Sequence, residues 1–268
     1  MPEGDTVYRA AQLLDKALSG RVLEQAELRV PQLATVDLTG AEVEGTASYG
    51  KHLLTRIGPA PRAADPERRW TLHTHLKMEG SWRVFRPGAR WSRPDHQARV
   101  VLGVPGIVAV GFSLGVVELV ERADEPGLTD HLGPDLLGAW DADEALGRLL
   151  AAPATPIGEA LRDQRNLAGL GNMYVAELLF VSGIHPMRPV GEVADRLPRM
   201  LERGRRMLEL NKERAIQSTT GDLRERERHW VYRRERTPCR RCGGRIRIEQ
   251  QGPVGRERTV SFCPTCQT

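Results

Sequence analysis

Val7, Ala11, Leu14 and Leu18 recur at the spacing of one helical face, with Asp5 or Thr6 placed to cap the first turn and Gly20 to end the last. This predicts a helix immediately behind the N-terminus. From Arg21 to Glu121 the pattern changes to β-branched stretches at 21–30, 41–57, 69–85, 98–103 and 107–121, broken by turn residues, with Val104-Pro105-Gly106 read as a hairpin turn. An antiparallel sandwich or barrel is expected there. Past Glu121 an acidic connector punctuated by glycine and proline, Asp124-Glu125-Pro126-Gly127 and then Gly133-Pro134-Asp135, leads into helical patterns near 141–152, 156–165, 172–182 and 193–211. The expected class is α+β: a β domain over 1–121, a linker over 122–135, a helical domain over 136–236 and a separate tail over 237–268.

With 268 residues, 40% of them hydrophobic, the chain has enough apolar side chains for one large core or two ordinary ones. No apolar run approaches the roughly 18 residues of a membrane span, and the start Met1-Pro2-Glu3-Gly4-Asp5 lacks the basic-then-apolar form of a signal peptide, so the expected setting is cytoplasmic. The net charge of +4 conceals an asymmetry: residues 196–268 hold 19 Lys/Arg against 9 Asp/Glu, and residues 1–195 hold 20 against 26. The C-terminal part is thus the one suited to a polyanion, although a basic block can equally be a solvated face. Lysines are scarce, with Lys16, Lys51, Lys77 and Lys212 standing against 35 arginines.

All four cysteines lie in the tail, as Cys239-x2-Cys242 and Cys263-x2-Cys266. Two such pairs give two knuckles that complete a tetrahedron, the signature of a structural zinc ribbon, whereas two disulfides fit poorly with a chain lacking a secretory signal. Arg245-Ile246-Arg247-Ile248 and Arg256-Glu257-Arg258-Thr259-Val260-Ser261-Phe262 alternate between them like a β-hairpin, presenting four arginines to a phosphate backbone. Four cysteine ligands leave no open coordination position, so the zinc is expected to be structural.

Two further segments carry candidate chemistry. Asp163 to Tyr174, with Gly169, Gly171 and Asn172, joins two expected helices; it can aim an amide side chain and backbone N–H groups at a phosphate, or be an ordinary packing loop. At the N-terminus, Met1 precedes the small residue Pro2, the context in which the initiator is trimmed. The exposed secondary amine could attack an aldehyde-like sugar carbon, as lysine Schiff bases do. The positive end of the following helix disfavours a protonated amine there and favours an ionised Glu3. A flexible terminus of helix-friendly composition is the alternative.

Taken together, Met1-Pro2-Glu3-Gly4, Gly50-Lys51-His52-Leu53-Leu54, His75-Leu76-Lys77-Met78-Glu79-Gly80, Leu132-Gly133-Pro134-Asp135, Gly169-Leu170-Gly171-Asn172-Met173-Tyr174 and the ribbon from Arg258 to Gln267 resemble the formamidopyrimidine-DNA glycosylase and endonuclease VIII family along the whole chain. The opening Pro-Glu-Gly is most like the endonuclease VIII branch. The resemblance implies an N-terminal β-sandwich, a helix–two-turn–helix domain with a zinc finger, and damaged double-stranded DNA bound between them by a monomer. It implies Pro2 as Schiff-base nucleophile, Glu3 as general acid/base, Lys51 as the essential lysine, and Arg258 as the hairpin arginine on the phosphate flanking the lesion; Lys51 falls on an expected strand, where a surface lysine is the competing reading. Asn172 would bind that phosphate region, Met78 would fill the void left by an extruded base, and Lys77 would contact the orphaned strand. His131 falls where relatives carry a phosphate-contacting basic residue; a capping or packing histidine is the competing reading.

Gly111-Phe112-Ser113-Leu114-Gly115 departs from the Arg-Arg-Phe-Gly loop of purine-specific relatives, which argues against strict 8-oxoguanine:cytosine recognition. Asp5-Thr6 likewise replaces the Pro-Glu that often follows the opening in endonuclease VIII proteins. The expected activity is a bifunctional glycosylase and abasic-site lyase for oxidised pyrimidines, cutting by β,δ-elimination. The alternatives are an oxidised-purine glycosylase and a zinc-ribbon protein that binds damaged DNA without chemistry.

Overall fold

The computed structural model describes residues 2–61, 65, 67–255 and 257–268. Contacts divide the chain into two compact units, residues 1–131 and 132–268. Among the described residues no helix is long and apolar enough to cross a membrane.

In the first unit, helix α1 (Gly4–Leu18) buries Val7, Ala11, Leu14 and Leu18, as the periodicity predicts. It starts earlier than its expected caps. Glu3 is the N-cap, extended at φ −126° and ψ −172°, and its carbonyl accepts from the Val7 N–H at 3.0 Å; Asp5 lies inside the first turn. At the other end Gly20, at φ 71°, turns the chain into the sheet.

The strand-like stretches divide into nine strands: β1 (Arg21–Val22), β2 (Gln25–Leu28), β3 (Glu42–Tyr49), β4 (His52–Ile57), β5 (Trp70–His75), β6 (Ser81–Phe85), β7 (Ala98–Val104), β8 (Ile107–Phe112) and β9 (Val116–Glu121). They form two antiparallel sheets, ordered β1-β3-β4-β5-β9 and β2-β7-β8-β6. Pro105-Gly106 makes the expected hairpin turn between β7 and β8, with Val104 opposite Ile107 and Gly106 at φ 76°. Val43, Leu53, Ile57 and Leu72 of one sheet share a core with Val100, Leu102 and Ala109 of the other and with Leu14 and Leu18 of α1. Each fully buried valine, leucine or isoleucine among them contributes roughly 1.5–3 kcal/mol of hydrophobic burial.

The second unit contains α2 (Ala142–Leu150), α3 (Ile157–Arg162), α4 (Asn172–Ser182), α5 (Leu197–Glu209) and the hairpin β10 (Arg247–Gln251) to β11 (Arg258–Phe262). The pattern expected to be helical from 193 begins as a 3-10 turn over Val190–Arg196, and Pro198 then sits in the first turn of α5, where its missing N–H costs nothing. Helix α4 is buried along almost its whole surface and ends on Gly183 in the left-handed region. The 237–268 tail is not a separate body. Ala176 and Phe180 of α4 form one apolar cluster with Val231, Cys239, Ile246 and Cys263, because the ribbon alone is too small to bury its own apolar side.

Candidate nucleic-acid site and metal centre

In the first unit, Pro2 is half-buried and Glu3 is 1% exposed. The turn closed by the Glu3 carbonyl holds both residues at the positive end of a 15-residue helix. Lys51 is not on a strand. Tyr49 pairs with His52, which leaves Gly50-Lys51 as a two-residue hairpin turn with Gly50 at φ 54°. Reading 41–57 as one strand-like stretch hid this turn; Gly50 is the residue that marks it.

The loop after β5 is closed by the Gly80 N–H donating to the Leu76 carbonyl at 2.8 Å. Leu76 is buried, and Met78 stands out at 57% exposure. Lys77 takes φ 49°, and its N–H donates to Nδ1 of His75 at 2.9 Å. A Cβ at Gly115 would lie 2.2 Å from Cγ of Lys77, so Gly115 is the space in which that lysine packs. The segment that departs from the purine-specific loop is a short turn: Phe112 and Leu114 are buried, and Ser113-Leu114-Gly115 links β8 directly to β9.

Four histidines gather at this end of the first sheet. Nδ1 of His73 lies 2.8 Å from Glu118 Oε2, and its Nε2 lies 2.9 Å from Nδ1 of His52. With Glu118 accepting, His73 donates from Nδ1, His52 donates from Nδ1 to His73, and the proton-free nitrogen of a neutral His52 is Nε2. His75, with Nδ1 accepting from Lys77, carries its proton on Nε2 and is a donor outward. The His52 ring meets His75 edge-on at 5.2 Å and His131 at 6.3 Å. Burial, then electrostatic coupling to His73, His131 and Lys77, brings His52 down to about 4. Burial, then Lys77, His52 and Lys51, bring His75 down to about 3. The structure therefore assembles Lys51, Lys77 and His131 around neutral imidazoles in one basic cluster. His52 and His75 were visible in the sequence without a role; His73 and Glu118 join them through strand register, with His52 opposite His75 and His73 opposite Glu118.

In the second unit the loop from Gln164 to Gly171 is braced from within. The Gln164 side chain accepts from the Gly169 N–H at 3.1 Å and donates to the Leu170 carbonyl at 2.9 Å. Gly133 approaches so closely that a Cβ there would lie 2.4 Å from the Asn166 backbone. Asn172 opens α4, and its Nδ2 donates to the Thr259 carbonyl at 2.7 Å, beside the exposed Arg258. Asn172 and Arg258 are thus brought together by α4 and β11. Glu177, fully buried, accepts from the N–H groups of Trp230, Val231 and Tyr232 and from the Thr219 hydroxyl, fixing the segment that leads to the ribbon.

The four cysteine sulfurs lie within 4.8 Å of one another, with Cys242 and Cys263 3.5 Å apart and Cys239 and Cys266 3.9 Å apart. Tetrahedral zinc–thiolate bonds of about 2.3 Å place sulfurs roughly 3.8 Å apart, so the donor set fits that ion. The Arg241 and Gly244 N–H groups donate to Cys239 and Cys242 sulfurs, and the latter bond leads the effects that lower the Cys242 thiol to about 7.

Residues 1–110 match the family model for the formamidopyrimidine-DNA glycosylase N-terminal domain, and residues 132–210 match that for the formamidopyrimidine-DNA glycosylase H2TH domain. The chain is 50% identical to the probable endonuclease 8 2 of Streptomyces coelicolor, covering 100% of this chain and 94% of the relative. It is 44% identical to the DNA-(apurinic or apyrimidinic site) lyase Nei2 of Mycolicibacterium smegmatis, covering 100% of this chain and 99% of the relative. In fold it is similar to Lactococcus lactis formamidopyrimidine-DNA glycosylase solved with abasic-site DNA, at a TM-score of 0.77 and 23% identity over 100% of both chains.

Proposed function

Because the chain belongs to the formamidopyrimidine-DNA glycosylase and endonuclease VIII family, and is a DNA glycosylase with abasic-site lyase activity, we propose that it excises oxidised pyrimidines from duplex DNA through the amine of Pro2. The observation that carries the reading is the anchored terminus: Pro2 precedes a buried Glu3 whose carbonyl closes the first turn of α1. The positive end of the helix dipole disfavours the protonated amine and so favours its nucleophilic form.

The proposed sequence begins with extrusion of the damaged base, which costs a few kcal/mol and is least costly for a poorly stacked lesion. Met78, apolar and exposed, fills the vacated space, and Lys77 meets the strand left behind. The Pro2 nitrogen bonds to C1′ as the glycosidic bond breaks and the sugar ring opens, with Glu3 moving protons at the sugar. The resulting iminium acidifies a C2′ proton. Its loss expels the 3′ phosphate by β-elimination, and a second elimination assisted by Arg258 expels the 5′ phosphate. Lys51, at the tip of its turn, and Asn172 and Arg258 of the second unit hold phosphates. Zinc on Cys239, Cys242, Cys263 and Cys266 would supply rigidity alone. We take the enzyme to act as a monomer on cytoplasmic, nucleoid-associated DNA; sedimentation of its DNA complex would test the monomer.

The three-residue turn at 113–115 supports the pyrimidine reading, since it offers no arginine to the base opposite the lesion. Borohydride trapping on duplexes with an abasic site, thymine glycol or 8-oxoguanine tests the whole scheme. A covalent adduct is expected on the first two, reduced with Pro2→Gly, which keeps only a primary amine, and absent with Met1 retained. Undiminished adducts with Met1 retained, where the Pro2 nitrogen is an amide, would remove Pro2 as the nucleophile. Preference for 8-oxoguanine would move the enzyme to oxidised purines.

A further inference from the structure

Arg162, the last residue of α3, occupies a position that none of the roles proposed so far requires. Its guanidinium donates to Oδ1 of Asn172 at 3.1 Å and to Oε1 of Gln251 at 2.7 Å. Gln251 ends β10 and is the direct cross-strand partner of Arg258. Asn172 completes the circuit by donating to the carbonyl of Thr259, the neighbour of Arg258. One side chain therefore ties the start of α4 to the rung of the hairpin that carries Arg258.

The circuit fixes what Asn172 offers. An amide can turn either its oxygen or its NH2 toward a ligand. Here the oxygen is committed to Arg162 and one amide hydrogen to Thr259, so what remains for a ligand is an N–H donor, the group an anion needs. Gln251 is equally committed. Its Nε2 donates to the buried Pro186 carbonyl at 2.9 Å, and a Cβ on Gly158 would lie 2.5 Å from its Oε1. Neither amide can flip without losing bonds on both sides.

The charges point the same way. Both oxygens that Arg162 contacts are neutral, and among the described residues no carboxylate forms an ion pair with it, whereas Arg56, Arg122 and Arg240 each have one. Burial chiefly works against its charged form; Glu159 gives partial relief, and the nearby Arg258 opposes the charge more weakly. A half-buried guanidinium near a second arginine and without a directly paired carboxylate is a site that an anion stabilises.

Resting on the DNA-directed reading above, we propose that Arg162 is a positioning residue of the phosphate site. It locks Asn172 with its N–H outward, holds the Gln251–Arg258 rung beside it, and contributes positive charge that a DNA phosphodiester neutralises.

The test uses the full-length protein, a duplex bearing a tetrahydrofuran abasic analogue for binding and a true abasic duplex for cutting. Arg162→Met is expected to weaken binding about tenfold or more and to lower the dependence of log affinity on log salt by about one phosphate contact. KM should rise more than kcat falls. Arg162→Lys, which keeps the charge without the two-pronged hold, should restore the salt slope and only part of the affinity. If Arg162 acts through Asn172, adding Arg162→Met to Asn172→Ala should cost much less than in wild type. Bound zinc and Tm report folding; should the Met variant lower either, Arg162→Gln carries the same comparison. Binding within twofold of wild type, or a full additional loss in the Asn172→Ala background, would overturn the proposal. Failure of the wild-type protein to bind the duplex would instead overturn the reading on which it rests.

Discussion

Acidification should destabilise the first unit through His52 and His75. Both imidazoles are held neutral in the folded state, down to about 4 and about 3, against about 6.5 when exposed. A depressed histidine pKa means that the unfolded chain binds more protons, so stability is fully present above pH 6.5 and is lost as pH falls from there toward the folded values. At pH 5 each ring is about 1.5 units below its unfolded pKa, worth roughly 2 kcal/mol at 1.36 kcal/mol per unit. The rings are partly exposed and share neighbours, so about 2 kcal/mol for the pair is the expected loss between pH 7.5 and 5. This corresponds to a fall in Tm of roughly 4–8 °C. Urea unfolding across that range measures it, with His52→Asn/His75→Asn as the control. Asn keeps the donor that His52 presents to His73 and the acceptor that His75 presents to Lys77, but neither titrates. The variant should lose the histidine part of the pH slope. An unchanged slope would refute the claim that these rings are buried as neutral groups.

Replacing Cys263 by serine should release the metal, measured by metal analysis, and abolish duplex binding while Pro2 is intact; unchanged affinity would show that the ribbon does not position DNA contacts. Glu177→Gln should cost about 2–4 kcal/mol in urea unfolding, because an amide NH2 would confront backbone N–H groups that now share a carboxylate. A loss below about 1 kcal/mol would mean that the segment leading to the ribbon is held by other contacts. Met78→Ala should change stability by less than about 0.5 kcal/mol, since the side chain is 57% exposed, yet slow excision of a paired lesion more than cleavage of a preformed abasic site. Equal slowing on both substrates would contradict a void-filling role.

What could be read in the sequence follows the range over which each signal acts. Helix α1 announced itself because a helical face repeats within one turn, and the cysteine pairs did so because two-residue spacing is a property of a single knuckle. Lys51 reads as strand because it lies inside one strand-like stretch, 41–57, and a two-residue turn leaves only a glycine as its mark. The histidine chain is a matter of register: His73 and His75 visibly share a face of β5, but only the pairing of β4, β5 and β9 brings His52 and Glu118 to them.

Arg162 and Gln251 are 89 residues apart and neither belongs to a motif, so nothing local joins them. A motif names the atoms that meet a ligand, here Asn172 and Arg258, whose residue types follow from what a phosphate accepts. Residues that aim those atoms are chosen by the surrounding geometry, and different side chains can do the same work in different frameworks. This explains why the cysteines and Pro2 could be nominated from sequence while Arg162 could not. Sensitivity to substitution should divide likewise. Changes at the ligand-facing positions should remove a contact or a chemical step outright, and changes at Arg162 should leave both possible but less often correctly aimed. The KM-against-kcat split in the Arg162 series separates the two.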